Sequence, residues 1–316
     1  MPTYSVIVPC YNEEAVIEET HKRLTKVMQG MHEPYEIVYV NDGSKDKTAA
    51  MLDALAQTDE SVRVVHFAHN SGHQIAVSAG LDYATGDAIV IIDADLQDPP
   101  ELIPDMAALW KQGAKVVYGK RRARAGETAF KKKTAEVYYR LINRLTGGMV
   151  PKDTGDFRMV DKQVADVVRA MPEHARFLRG MFAWAGFEQT PLLYDRDKRF
   201  AGQTHYPLKK MLRLAADGVF SFSVTPLRLA TCLGAVWLGL GLLTAFVLLI
   251  LLICGTTSGA WWLAALMMTL GGSILFCIGI LGEYVARMFD DVRARPLYVV
   301  ERTVGFKRDK ETGNRD

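Results

Sequence analysis

The chain has 316 residues, with 38 Lys and Arg against 36 Asp and Glu, so its formal charge is only +2. That length has room for about two domains, and the near balance hides a segregation: from Leu229 to Gly282, 54 residues, there is no Asp, Glu, Lys or Arg. The four cysteines (Cys10, Cys232, Cys254, Cys277) have no ligand spacing, which excludes a disulfide framework or a cysteine metal site and leaves them as packing residues.

In chain order, the first 120 residues alternate strand and helix patterns. Strands are predicted at Tyr4–Pro9, Tyr35–Asn41, Val62–Phe67, Ala88–Asp93 and Lys115–Tyr118, and helices near Glu14–Met28, Thr48–Thr58, Gln74–Ala84 and Glu101–Gln112. Such alternation implies an α/β fold, a mostly parallel sheet with helices on both faces. Asn12 is expected to cap the first helix, with Glu13, Glu14, Glu18 and Glu19 near its positive end. After Gly119 the chain turns basic: Lys120, Arg121, Arg122, Arg124, Lys131, Lys132 and Lys133 crowd a segment whose middle, 125–128, is expected to be mobile, with a helix following to about Leu145.

Pro207–Phe222 sets Leu208, Met211, Leu212, Ala215, Val219 and Phe220 against Lys209, Lys210, Arg213 and Asp217. Directly before a membrane span, it is expected to lie in the interface plane, a soluble surface helix being the alternative. The uncharged stretch has room for two spanning helices of about 20 residues each, placed at Leu227–Cys254 and Trp261–Tyr284 with the turn at 255–259. Lys209, Lys210, Arg213 and Arg228 precede the first span, and Arg287, Arg293, Arg295 and Arg302 follow the second. This bias predicts both termini in the cytoplasm, with only the turn reaching the far side. The N-terminus lacks the pattern of a signal segment, and the charged tail from Lys307 is expected to be disordered. The organisation is thus 1–206 catalytic, 207–226 interfacial, 227–288 a transmembrane hairpin and 289–316 a cytosolic tail.

The most informative motif is Asp93-Ala94-Asp95-Leu96-Gln97-Asp98-Pro99-Pro100, reached from the buried run Ile89–Ile92. Two carboxylates two residues apart at a strand's carboxyl end suit Mg²⁺ or Mn²⁺ shared with a diphosphate, at the edge where open α/β sheets bind ligands. A solvated acidic turn is the alternative. Pro9-Cys10-Tyr11-Asn12-Glu13 and Asn41-Asp42-Gly43-Ser44 end neighbouring strands at the same edge. There Asp42 could accept from a base or ribose, and Gly43 lets the backbone approach a ligand; an ordinary turn and helix cap is the alternative.

Together these motifs resemble family 2 glycosyltransferases of the GT-A fold. With the hairpin, the chain from about Tyr4 to Phe306 resembles the polyisoprenyl-phosphate glycosyltransferases, the group of the bactoprenol glucosyltransferases and dolichol-phosphate mannose synthase. The resemblance implies that Pro9, Tyr11, Glu13, Asp42 and Arg199 bind the nucleotide sugar. Asp93 and Asp95 would meet metal and diphosphate, with Gln97 a further metal contact. Asn70-Ser71-Gly72-His73-Gln74 falls in the donor-side loop, His73 standing where relatives carry Lys; a helix-start histidine without chemistry is its alternative.

Asp156, in Thr154-Gly155-Asp156-Phe157-Arg158, matches the position of the catalytic base. A phosphate acceptor is already ionised, so Asp156 could orient a substrate instead, or cap the following strand. Arg121, Lys132 and Lys133 fall where the family gathers charge for the acceptor phosphate, which a surface for anionic lipid would also explain. Arg176, Arg179, Arg199, Gln203, Thr204 and Tyr206 match later motifs near the diphosphate and acceptor. Here the family's Gly-x-Ser pattern reads Gly202-Gln203-Thr204, which keeps the hydroxyl.

The implied activity is metal-dependent (Mg²⁺ or Mn²⁺), inverting transfer of a sugar to undecaprenyl phosphate at the cytoplasmic face of a bacterial inner membrane. The product would serve cell-surface glycan modification, such as that of O-antigen. Glucose from UDP is the first choice; aminoarabinose derivatives, N-acetylhexosamines, mannose and GDP stay open. The expected partners are the nucleotide sugar, the lipid, the membrane and further copies of the chain in a tetramer, with no nucleic acid. A processive synthase would need a channel and a Gln-x-x-Arg-Trp motif, neither visible. A non-catalytic nucleotide-sugar-binding scaffold is the remaining alternative.

Overall fold

The computed structural model describes residues 2–122, 154–195, 225–254 and 260–306. Lys132, Lys133, Arg199, Gln203, Thr204 and Tyr206 lie outside the described residues, as do the expected segments 125–128, the helix to Leu145, the interfacial segment 207–222 and the tail from 307.

Eight strands form one sheet: β1 (Tyr4–Cys10), β2 (Tyr35–Asn41), β3 (Val62–Phe67), β4 (Ala88–Ile91), β5 (Val116–Arg121), β6 (Thr154–Asp161), β7 (Gln189–Tyr194) and β8 (Val300–Val304). Their order is β7-β5-β6-β4-β1-β2-β3-β8. Pairings β1 with β2, β1 with β4, β2 with β3 and β5 with β7 are parallel. Two strands run the other way: β6 against β4 and β5, and β8 against β3.

Helices α1 (Ile17–Gly30), α2 (Thr48–Thr58) and α4 (Ile103–Lys111, after a 3₁₀ turn at Pro100–Leu102) follow β1, β2 and β4, while α3 (His73–Tyr83), α5 (Lys162–Arg169) and α6 (Leu178–Trp184) follow β3 and β6. All seven residues of β1 are buried, as a strand covered on both faces requires. On one face Val6, Val8 and Tyr39 pack with Ile17, Leu24, Leu52, Ile103 and Met106. On the other, Ile7, Ile89 and Ile91 pack with Val77, Leu81, Val164, Val168 and Phe182. Gly80 lets α3 cross β1 closely: a Cβ there would sit 2.2 Å from Ile7 Cγ2.

Three differences from the sequence reading bear on the site. β4 stops at Ile91, so Ile92 and Asp93 belong to the turn. Asn12 does not cap α1, whose N-cap is Val16 without a side-chain bond. Instead Asn12 stands at φ 56, its side-chain oxygen accepting from Lys45 N at 2.8 Å. Asn12 bridges two loops because the turn 13–16 separates it from the helix.

The third difference lies beyond the apolar stretch. Helices α7 (Thr225–Ile253) and α8 (Ala260–Arg293) have 29 and 34 residues, about 44 and 51 Å at 1.5 Å per residue. Both are long and apolar enough to cross a membrane, whose hydrocarbon core is about 30 Å thick. Leu242, Leu243, Phe246, Leu275 and Phe276 face outward, exposed. The second helix runs past the expected end at 284, and the supposed tail returns as β8 to complete the sheet. Tyr298 stacks on Phe67 at 4.9 Å, and Phe306 meets Tyr83 at 5.3 Å. His174, before α6, holds the chain that leaves α8: its backbone N–H donates to Asp291 at 2.9 Å and its Nε2 to the Arg295 carbonyl at 2.6 Å.

Candidate active site

The topology collects the chemistry at one edge. The carboxyl ends of β1, β2, β3, β4 and β5 share it, and the reversed β6 and β8 bring their first residues there. Asp156 therefore arrives on β6 beside the turn that follows β4.

That turn is firmly propped. Thr20 of α1 donates to the Ala94 carbonyl at 2.7 Å, and the Tyr194 hydroxyl donates to the buried Asp98 carboxylate. Burial alternates: Ala94, Leu96 and Asp98 point inward while Asp93, Asp95 and Gln97 are half-buried on the open side. Leu96 takes a left-handed φ of 57, strain of the order of 1–3 kcal/mol at a non-glycine residue, which keeps those three side chains together. Gln97 N donates to Asp95 Oδ1 at 3.1 Å.

Facing it, Asp156 receives Arg179 Nε at 2.7 Å and Nη2 at 3.2 Å, with Gln74 Nε2 at 3.2 Å. Gln74 also accepts from Leu178 N at 3.1 Å, tying the start of α3 to that of α6. His73 Nε2 lies between the two acids, 3.5 Å from Asp93 Oδ1 and 3.4 Å from Asp156 Oδ2. Burial would lower the His73 pKa, but Asp93 and Asp156 outweigh it and push it up to about 9. Burial raises Asp93 to about 6, with Asp156, Asp98 and Asp95 adding to the rise against His73. For Asp156 burial also acts upward, yet Arg179 and His73 hold it well below the ordinary range. Behind it, Arg158 is buried, donating to the Gly155 and Asp156 carbonyls and lying 4.8 Å over the Phe182 ring.

A divalent cation fits this turn. Asp93 Oδ1 is buried without a hydrogen-bond partner, and Asp93, Asp95 and Gln97 offer oxygen donors on one side. Among the described residues no group of three or more acidic, His or Cys side chains could hold a metal ion by itself. An ion held by one or two of these carboxylates would share its shell with substrate phosphates.

At the same edge of the sheet, around the ends of β2 and β3, opens a cleft of about 500 Å³ lined by Tyr11, Gly43, Ser44, Lys45, His69 and Asn70, with Glu301 and Arg302 from β8. Asp42, only 3% exposed, lies behind this wall. Its carboxylate accepts from Asn70 Nδ2, Ser71 N and Gly72 N at 2.9, 2.6 and 2.9 Å, and burial raises its pKa against those donors. The close approach that Gly43 permits, at φ 64, is to the backbone of His69 and Asn70, 2.7 Å from where a Cβ would stand. In this arrangement both residues shape the loop that walls the cleft.

Of the other expected site residues, Pro9 is buried within β1 and Glu13 follows it, its N–H donating to Thr48 at 2.8 Å. Arg121 ends β5 at the active edge. Arg179 joins the acids; Arg176 does not. The Arg176 guanidinium donates to the Val168 carbonyl at 3.2 Å and feels Asp82 and Glu173, so local packing of α5 and α6 engages it. The sequence motifs contain Gln74 and Arg158 without assigning either a role, and they do not include Thr20 or His66. A histidine inside Val62–Phe67 and an arginine inside Phe157–Val160 were the available signals, since a polar residue within an apolar strand needs a buried partner.

Comparison with known proteins agrees with this layout. The family model for glycosyl transferase family 2 matches residues 5–169. The uncharacterized glycosyltransferase YkcC of Bacillus subtilis is 47% identical over 306 residues, covering 96% of this chain and 95% of its own. A prophage bactoprenol glucosyl transferase homolog of Escherichia coli K12 is 38% identical, over 94% of this chain and 98% of its own. Glucosyl-3-phosphoglycerate synthase of Mycobacterium tuberculosis overlaps 69% of this chain and 78% of its own at 20% identity, with a TM-score of 0.46, too loose to carry weight. On its profile, its relatives and its sheet, the chain belongs to glycosyl transferase family 2 and is a glycosyltransferase.

Proposed function

We propose that this enzyme transfers a sugar, glucose by first choice, from a UDP-sugar to a polyprenyl phosphate at the cytoplasmic face of a membrane, with inversion. The observation that carries the reading is the meeting of Asp93, His73, Asp156 and Arg179 at the sheet edge that also holds the cleft, in a chain with two long apolar helices. Relatives named bactoprenol glucosyl transferase, 36–38% identical, support the acceptor and the sugar.

An oxygen of the acceptor phosphate attacks the anomeric carbon, and the bond from that carbon to the diphosphate breaks. The acceptor is already an anion, so no proton need be removed. Asp156, kept ionised by Arg179, positions the sugar or the acceptor rather than serving as base, and its charge favours the cationic character that develops at the sugar ring. The Tyr11 ring, 42% exposed, offers a face for the nucleotide base. A divalent cation held by Asp93, Asp95 and Gln97 would offset charge on the departing diphosphate. The helices α7 and α8 confine the enzyme to the surface where the lipid phosphate lies, which supplies proximity. Lys132, Lys133, Arg199 and Thr204 complete the proposed substrate contacts, and assembly as a tetramer is proposed with them.

The test is purified enzyme with undecaprenyl phosphate, Mg²⁺ or Mn²⁺, and a panel of labelled nucleotide sugars. Label from one donor moving into the organic phase, and ceasing with EDTA, supports the reading. Nucleotide binding without transfer from any donor would overturn it.

A further inference from the structure

We infer that Arg302, on the strand that returns from the membrane hairpin, is a positioning residue for the donor nucleotide. The inference rests on the proposed reading of the cleft as the nucleotide pocket.

Arg302 stands opposite His66 in the β3–β8 ladder, where cross-strand side chains share a face. Its guanidinium grips both oxygens of Asp53 on α2, at 2.8 and 2.6 Å. Asp53 also receives His66 Nε2 at 3.1 Å. The other His66 nitrogen, Nδ1, lies 3.0 Å from Asn41 Nδ2. Asn41 Oδ1 accepts from Ser44 N at 3.1 Å, and Ser44 Oγ from Asn12 N at 3.0 Å.

The chemistry gives this chain one direction. Asp53, paired with a guanidinium, is an acceptor, so His66 presents Nε2–H to it and leaves Nδ1 to accept from the Asn41 amide. Burial, then Arg302, lowers the His66 pKa, which keeps the ring neutral as this pattern requires. With its NH₂ committed to His66, Asn41 turns its oxygen to Ser44. The relay thus crosses the active edge of the sheet from β8 to the loop after β1. It fixes the two turns that carry Tyr11, Gly43, Ser44 and Lys45, four lining residues of the cleft. His66 is 1% exposed, so its two ring nitrogens depend on Asp53 and Asn41 for their hydrogen bonds.

An arginine spent only on holding β8 in place would affect stability alone. A positioning arginine affects donor affinity through the turns it braces. Because Arg302 also lines the cleft, a double variant with Asn41 separates that route from direct contact, since only effects carried by the relay fail to add. The full-length enzyme in nanodiscs is therefore compared with Arg302→Met, Asn41→Ala and the double variant. The readouts are thermal midpoint, UDP binding, and KM for donor and for undecaprenyl phosphate. Arg302→Met is expected to raise donor KM and the UDP dissociation constant about tenfold, the scale of one charge-assisted contact. The acceptor KM should stay within about twofold. The two single effects should not add, since both break the same chain.

Arg302→Lys keeps the charge on Asp53 through one contact and should rescue part of the donor affinity. If Arg302→Met fails to accumulate, this variant alone decides, by a raised donor KM at an unchanged acceptor KM. A donor KM that does not move in folded variants, or moves additively with Asn41→Ala, overturns the inference. A wild type that binds no nucleotide removes the reading of the cleft and this inference with it. Normal wild-type kinetics with an indifferent Arg302 removes the inference alone.

Discussion

A carboxylate that receives Arg179 on both oxygens, with Gln74 and His73 at the second, takes up a proton reluctantly, and the reaction proposed for Asp156 reflects this. Asp156→Asn is expected to lower turnover by a factor on the order of 10²–10³, the usual cost of a removed electrostatic contact. Because the folded Asp156 pKa is depressed, the group is ionised throughout the working range. Asp156 also adds to the rise of the Asp93 pKa, so an acid limb of the pH–rate profile set by Asp93 should persist in the variant and move to lower pH. A limb that vanishes would identify Asp156 as the base after all. Asp95→Ala should abolish transfer while the thermal midpoint stays near wild type; retained activity would refute the metal assignment. The carboxylates themselves were legible in the sequence, since Asp93 and Asp95 follow an apolar run that had to be a strand. Asp42 was legible as a strand-end residue, but not its engagement by the backbone of Ser71 and Gly72. Those donors lie 29 and 30 positions away, and no local pattern pairs them.

At the scale of elements, apolar periodicity and turn residues located the first five strands, and α2 has the predicted bounds, Thr48–Thr58. The failures share a cause. Asn12 looks like a cap, but Ser44 and Lys45 compete for it from a neighbouring loop. β8 shows half-buried valines at its ends around three exposed residues, Glu301, Arg302 and Thr303, an edge-strand pattern that local sequence cannot separate from a solvated tail. Close packing between elements is likewise silent in sequence until a glycine marks it. Gly80→Ala would drive a methyl group into Ile7, which is fully buried, and should destabilise the catalytic body by about 1–3 kcal/mol, read by denaturant unfolding. An unchanged midpoint would mean that α3 can lift from β1 at little cost.

At the scale of the whole molecule, the hairpin is tied back to the catalytic body at the end of α8, where Asp291 and Arg295 meet His174. Arg302 was counted among the basic residues that orient the hairpin, yet Asp53 neutralises it. Arg287 is likewise paired, with Glu283 at 3.1 Å, which leaves Arg293 and Arg295 to carry the bias after the second span. The orientation can be read from the native cysteines. Cys254, exposed beside the turn between α7 and α8, should react with an impermeant maleimide in right-side-out vesicles, while buried Cys10 should not. Labelling of Cys254 only after the vesicles are inverted would reverse the proposed topology.

Synthesis order gives the returning strand a further meaning. A ribosome reaches Val300 only after all of α7 and α8 has been made, so until then β3 presents an open edge. The cleft beside it then lacks the wall supplied by Glu301 and Arg302. A truncated copy released before that point, in the cytosol or at the membrane, would carry Asp93, Asp95 and Asp156 without the finished pocket. The nascent enzyme would gain its grip on an activated sugar last, after the segments that anchor it beside the lipid.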